Sequence, residues 1–236
     1  MKVLCTRHHQ ISLDVSFELS RFIADWPMAQ QKFIGGIADR LRDLCPIHPR
    51  DFSMTPALSL EDLRCKCQLF GGACRIVLVP DSLQLSFTDV SLDDLSVVLE
   101  TVKRSEAWLS SALEEHERKW LSFHTIEHRQ ALDDGAIAAY LNQLVHDEVE
   151  KVVKSVQDIR LLPSIRVVLS GDDENGEKWR LQRVVEKSEL IENGVFVDTW
   201  VRIFSPSLES FDEHLGLAER IHELADRTVG LQYEET

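Results

Sequence analysis

The chain has 236 residues, enough for one large domain or two small ones with a proper core. It carries 26 Lys+Arg against 40 Asp+Glu, a formal net charge of −14, with no Lys/Arg run longer than a pair. A surface that tracks phosphates works by releasing counterions from clustered cations, so this balance argues against nucleic acid and anionic membranes as partners.

The opening stretch MKVLCTRHHQISLDV is broken by Arg7, His8 and His9 before it reaches the length of an apolar leader. No apolar run approaches the roughly 20 residues that cross a bilayer. The expected location is therefore cytoplasmic, with no membrane association. Five cysteines, an odd number, do not form a disulfide framework, so reduced thiols are expected.

Ile11, Leu13, Val15 and Phe17 fall at every second position and predict a strand. Asp25-Trp26-Pro27 breaks it, and Pro27 suits the first turn of a helix that carries Phe33, Ile37, Leu41 and Leu44. Gly35 and Gly36 weaken that helix but let another element approach closely. CPIHPRDFSMTP reads as a proline-punctuated loop.

Residues 63–89 read as a three-stranded meander, turning at Gly71-Gly72 and again at Pro80-Asp81. Three cysteines lie here, in LRCKCQLFGGACR. With a two-residue first turn, Phe70 pairs with Ala73, Leu69 with Cys74, Cys67 with Ile76 and Cys65 with Leu78. Alternation then places Cys65, Cys67, Leu69, Cys74, Ile76 and Leu78 on one face, joined by Leu83, Leu85 and Phe87. Arg64, Lys66, Gln68, Arg75, Gln84 and Ser86 take the other. The thiols are thus expected to be small core residues, not zinc ligands or a redox pair.

DVSLDDLSVVLETVKRSEAWLSSALEEHE predicts a long amphipathic helix with Leu92, Leu95, Leu99, Val102, Leu109 and Leu113 in its stripe. Ser91 and Asp94 resemble a capping box. Residues 119–131 favour a strand, and AIAAYLNQLVHDEVEKVVKSVQ is helical. A second set of strands follows in SIRVVLSG, EKWRLQRVVEK and GVFVDTWVRIF, then a helix over roughly 207–227 with Ser207 as cap and Phe211, Leu215, Ala218 and Ile221 inward.

Three antiparallel strands thus run twice into a Ser-Leu-acid helix start. The expected fold class is α+β: antiparallel β-meanders, each followed by an amphipathic helix packed on a sheet face. Duplication and chance reuse of a common unit both remain open. The division expected is 1–131 for a first meander-plus-helix unit and 132–236 for a second, packed as one body.

Catalytic signatures are absent: no G-x-S-x-G elbow, phosphate loop, dinucleotide fingerprint or kinase set occurs. His8-His9 reads as an exposed pair. His124 and His128 on a strand lie about 13 Å apart and cannot share an ion. His146-Asp147-Glu148 reads as a solvated helix face, and GDDENGEK as an acidic hairpin loop. No cofactor and no metal are expected.

The last strand is less ordinary. Val195, Val197, Thr199, Val201 and Ile203 face one way, and Phe196, Asp198, Trp200, Arg202 and Phe204 the other, with Trp179 on the preceding strand as a candidate neighbour. Such a strand is either sandwiched between two layers or offers an aromatic surface. Phe196, Trp200, Arg202 and Phe204 are the candidate binding residues. The leading expectation is a non-enzymatic binding or assembly subunit acting through a protein interface, self-association, or an apolar pocket that takes a small ligand. The competing one is an enzyme assembled from distant groups, with His124, His128, Asp133 and Asp134 as first candidates.

Overall fold

The alternation read in residues 11–17 extends over a long first strand, β1 (Lys2–Phe17). The computed structural model describes residues 1–17, 25–54, 59, 62–112, 118–133, 136–143, 163–204 and 211–233. Leu113, Asp134, His146-Asp147-Glu148, Ser207 and most of the helix expected after Asn142 lie outside these residues.

Helix α1 (Trp26–Leu41) starts where Asp25 accepts from the Met28 backbone N–H at 3.4 Å and Pro27 occupies the first turn. Phe33, Ile37 and Leu41 are fully buried beneath it. The proline-rich loop contains a short edge strand that its composition concealed, β2 (Phe52–Met54), paired with β3 (Cys65–Leu69). β4 (Cys74–Val79) and β5 (Ser82–Val90) complete the meander.

The register is as expected: Leu69 faces Cys74, Cys67 faces Ile76 and Cys65 faces Leu78. The turn differs. Phe70 and Ala73 do not join the ladder, and Phe70, Gly71 and Gly72 all take positive φ (52°, 66° and 98°). A four-residue loop preserves the parity of a two-residue one, so the facing of each side chain survives. Cys65, Cys67 and Cys74 are fully buried, and Cys45, Cys65, Cys67 and Cys74 are free thiols. Burial pushes Cys65 up to about 11 and Cys67 up to about 12, which leaves them unreactive at neutral pH.

α2 (Leu95–Ala112) follows a short turn at Leu92–Asp94. Its buried stripe is Val98, Thr101, Val102, Ser105, Trp108 and Leu109, whereas Leu92 and Leu99 are 39% and 38% exposed. The expected leucine stripe was therefore rotated. Small polar residues were overlooked as inward positions, yet Thr101 satisfies its hydroxyl on the Val97 carbonyl at 2.8 Å and can be buried. At the helix start Ser91 Oγ donates to Asp94 Oδ2 at 2.6 Å, and no side-chain bond to a backbone N–H completes the expected box.

The second half comprises β6 (Arg118–Ala131), α3 (Ala136–Asn142), β7 (Ser164–Asp172), β8 (Lys178–Lys187), β9 (Gly194–Phe204), α4 (Phe211–Thr228) and β10 (Gln232–Tyr233). All strands join one sheet in the order β2-β3-β4-β5-β1-β6-β9-β8-β7, with β10 parallel to the first residues of β1. The first strand of each half lies at the centre. Beside it lies the last strand of its own meander, β5 beside β1 and β9 beside β6.

Among the described residues, both core clusters draw on one face of this sheet and on the helices. α1 and α2 pack over the β3–β5 side and α4 over β8 and β9. No described helix is long and apolar enough to cross a membrane.

The two adjacent glycines of α1 give a sharp test of this packing. A Cβ at Gly36 would sit 2.1 Å from Nε1 of the buried Trp108, whose ring meets Phe33 edge-on at 5.4 Å. A Cβ at Gly35 would meet nothing within 4 Å. Gly36→Ala should destabilise by about 1–3 kcal/mol despite its better helix propensity. Gly35→Ala should stabilise by about 0.4–1 kcal/mol. Urea midpoints of the two variants read the opposite signs directly.

Candidate functional site

The face of the sheet turned away from the helices carries the candidate site. Side chains in register form rows across the strands. One row runs Arg75, Ser86, Ser12, His124, Trp200, Gln182 from β4 to β8. The next runs Lys66, Val77, Gln84, Asp14, Ser122, Arg202 and Arg180 from β3 to β8.

The rows enclose a groove of about 510 Å³ over the β1–β6 seam. It continues past Ser122 and Trp200 into a second hollow of about 370 Å³ between Arg180, Arg202 and Phe204. Cations occupy both banks: Arg64, Lys66 and Arg75 on the β3–β4 side, Arg202 and Arg180 on the β8–β9 side.

All four candidate binding residues lie on this face. Trp200 is 42% and Phe204 38% exposed, Arg202 is exposed and Phe196 half-buried, whereas Val195, Val197, Val201 and Ile203 on the opposite face are fully buried. Of the two alternatives for β9, the strand is thus covered on one face only. Trp179 is not a neighbour of this patch: it pairs with Ile203 and points to the helix side.

Trp200 stacks on His124 with ring centroids 3.9 Å apart and 16° between planes. His124 Nε2 donates to Asp198 Oδ1 at 2.8 Å. Arg202 donates from Nε to Ser122 Oγ at 3.1 Å and lies over the Trp120 ring at 5.1 Å. These contacts fix the tryptophan and the arginine in place.

Between the banks sits Asp14. Burial pushes its carboxyl up to about 6, against the pull of Arg202 and the Ser82 hydroxyl and with the help of Asp81. Its Oδ1 is buried with no hydrogen-bond partner, and so is the Nε of Arg64 nearby. Both atoms are closed off from solvent, so neither is open to a ligand in this conformation.

The catalytic candidates do not converge. His128 shares the open face with His124 but bonds Ser188 Oγ through Nδ1 at 2.9 Å and packs against Phe196. Asp133 is exposed beyond the end of β6. His8 is not the exposed residue expected: a bulge in β1 leaves it half-buried, 3.7 Å from Glu127. The Asp173–Gly176 segment is a hairpin turn, with Asp173 Oδ1 accepting from the Asn175 and Glu177 backbone N–H groups.

A cluster that sequence reading missed lies on the helix side. Arg129 donates to Glu127 at 2.8 Å and to Asp226 of α4 at 2.7 Å. The fully buried Arg183 also reaches Asp226, and its Nε donates to Thr199 Oγ1 at 3.0 Å. Arg183 Nη2 donates to His222 Nδ1 at 3.1 Å, which requires that nitrogen unprotonated. The signal was present in β8: Arg183 falls between Leu181 and Val185, at a core position. This network clamps α4 to β6, β8 and β9.

Near the crossover of β5 into α2 there is also an apolar crevice of about 240 Å³, lined by Phe70, Phe87, Val90, Val97 and Val98.

No protein-family model matches the chain, and no curated protein matches it in sequence.

The clamp predicts acid lability with a defined sign. Burial and then Arg183 push His222 down to about 4, below its ordinary 6.5. The unfolded chain therefore binds more protons between those values, and stability is lost as pH falls from 6.5 towards 4, by about 3 kcal/mol for this group. Burial opposes ionisation of Glu127, but Arg129 and His8 outweigh it and hold the carboxyl at about 2. Its contribution is complete above pH 4.5 and lost as pH falls through 2. Urea midpoints at pH 7, 5.5 and 4.5 should decline in that order; equal midpoints contradict the assignment. Asp226→Ala leaves the buried Arg183 without a carboxylate and Arg129 with Glu127 alone, and should cost about 3–5 kcal/mol.

Proposed function

We propose that this chain is a cytoplasmic, non-enzymatic binding subunit that engages a protein partner through the open face of its sheet. The observation that carries the reading is the exposure of Trp200 and Phe204 beside Arg202, on the face turned away from both described core clusters. Aromatic and arginine side chains supply most binding energy at protein interfaces, and here the sheet holds them rigid before a partner arrives. Self-association through the same face is one form of the reading. The crevice at Phe87 and Val98 supports a small apolar ligand as a secondary partner.

A second reading rests on the hydrogen bond between His124 and Asp198. A carboxylate that orients a histidine beside a groove holding Asp14 is the kind of pair that moves protons. Substrate turnover abolished by His124→Ala in a folded protein would favour it over the binding reading.

The strand order also supports a duplication. Each half places its first strand at the seam and the last strand of its meander alongside. That reading moves the boundary expected between 131 and 132 to before β6 (Arg118–Ala131), whose pairing to β9 makes it the opening strand of the second unit.

Trp200→Ala removes an exposed ring whose stacking contributes about 0.5–1.5 kcal/mol, so the fold should survive. The variant should lose the parent's association, whether with itself, read by light scattering after size exclusion, or with a partner. A strict monomer whose Trp200→Ala form keeps every interaction of the parent sinks the interface reading.

A further inference from the structure

The groove is charged against the grain of the molecule. Its two connected hollows are lined by Arg64, Lys66, Arg75, Arg180 and Arg202 and by a single acid, Asp14. The chain as a whole has 40 acids against 26 Lys+Arg. An acidic protein that gathers five cations along one groove is built for an anionic ligand there.

Geometry narrows the ligand. Arg75 on β4 and Arg202 on β9 are four strand spacings apart, about 20 Å, and neighbouring rows follow the same line across the sheet. Between them lies Asp14, the one acid of the lining. A ligand that fits both facts is negative at its two ends and carries no charge against Asp14 at its middle. An extended polypeptide has backbone N–H groups along its length and covers 20 Å in about six residues. A nucleic-acid strand would bring phosphates over Asp14 and past the groove onto an acidic surface, where repulsion opposes it.

We propose that the groove binds an extended acidic segment of a partner protein, laid across the strands. Its carboxylates pair with Arg64, Lys66 and Arg75 at one end and with Arg202 and Arg180 at the other. The uncharged backbone passes Asp14 between them, and Trp200 packs on the apolar part of the segment. This deepens the open-face reading and rests on it.

Fluorescence anisotropy on the full chain tests it, with fluorescein-labelled octaglutamate, triglutamate, octaserine and an eight-nucleotide oligouridylate at one fixed salt concentration. Octaglutamate should bind and octaserine should not. Triglutamate, too short to bridge the banks, should bind at least about tenfold more weakly, because one set of charge-assisted bonds is lost. Arg75→Ala and Arg202→Ala should each weaken octaglutamate by about tenfold. Arg220→Ala, an exposed cation on α4 away from the groove, should change nothing. Arg75 is exposed, so its variant keeps the test valid should Arg202→Ala perturb the fold.

Octaglutamate that fails to bind, or an equal loss with Arg220→Ala, overturns the proposal. Oligouridylate binding as tightly as octaglutamate overturns it in favour of single-stranded nucleic acid. Triglutamate binding as well as octaglutamate removes the bridging of the two banks. If octaglutamate fails while Trp200→Ala still abolishes the parent's association, the acidic segment falls and the open-face interface stands.

Discussion

The antiparallel pairing of β1 with β6 is the constraint on which the rest of the molecule depends. It runs from Val3–Ala131 to Phe17–Arg118, and among the described strands it alone joins the two meanders into one sheet. Each of these strands has a meander strand on its other side, so the seam is the centre of the structure and not an edge. Once it forms, the alternation of side chains is common to both halves, and every inward residue finds the same helix-covered side. Irregularities at Cys5/Arg7 and His8/Gln10 adjust the upper part of the seam, which is why His8 turns towards Glu127 while Gln10 remains in line with Ile126.

The two faces solve different problems. On the helix side most residues are apolar and fully buried, and the few charges are paired. Arg129, Arg183, Asp226 and Glu127 satisfy one another, and His222, held neutral first by burial and then by Arg183, accepts from Arg183. Burying such charges is costly, so the network holds α4 in one position more than it adds net stability. On the open side polar and cationic residues line a groove, and Trp200 and Phe204 are exposed. Asp14 and Arg64 belong to the lining of a groove that a partner can enter. The contrast separates a closed clamp from an open groove.

Charge segregation gives the open face its chemistry. A net charge of −14 weighed against anionic partners when the sequence was read as a whole. Over a distance of about 8 Å at physiological salt, however, local charges dominate the field that a docking group feels. Lys66 and Arg75 come from the first meander, Arg180 and Arg202 from the second, and they meet across one groove because the seam places the meanders side by side. The average charge of a chain sets its long-range behaviour; the placement of a handful of residues sets what it binds.

Much of the fold was legible in the order of residues. Two-residue periodicity in Cys65–Leu69, Cys74–Val79 and Gly194–Phe204 determined which side chains share a face, and even loop lengths kept that parity when the Gly71-Gly72 turn proved longer. The aromatic stripe Phe196, Trp200, Phe204 was visible for the same reason. The rotation of α2 was not, because the docking of Trp108 on Gly36 selected a stripe containing Thr101 and Ser105 over one richer in leucine. Nor were the groove and the clamp. Asp14, Ser122 and Arg202 are far apart in the chain, as are Arg129, Arg183 and Asp226. Periodicity specifies the direction of a side chain within its own strand; only strand order decides which distant strand lies next to it, and therefore which charges meet.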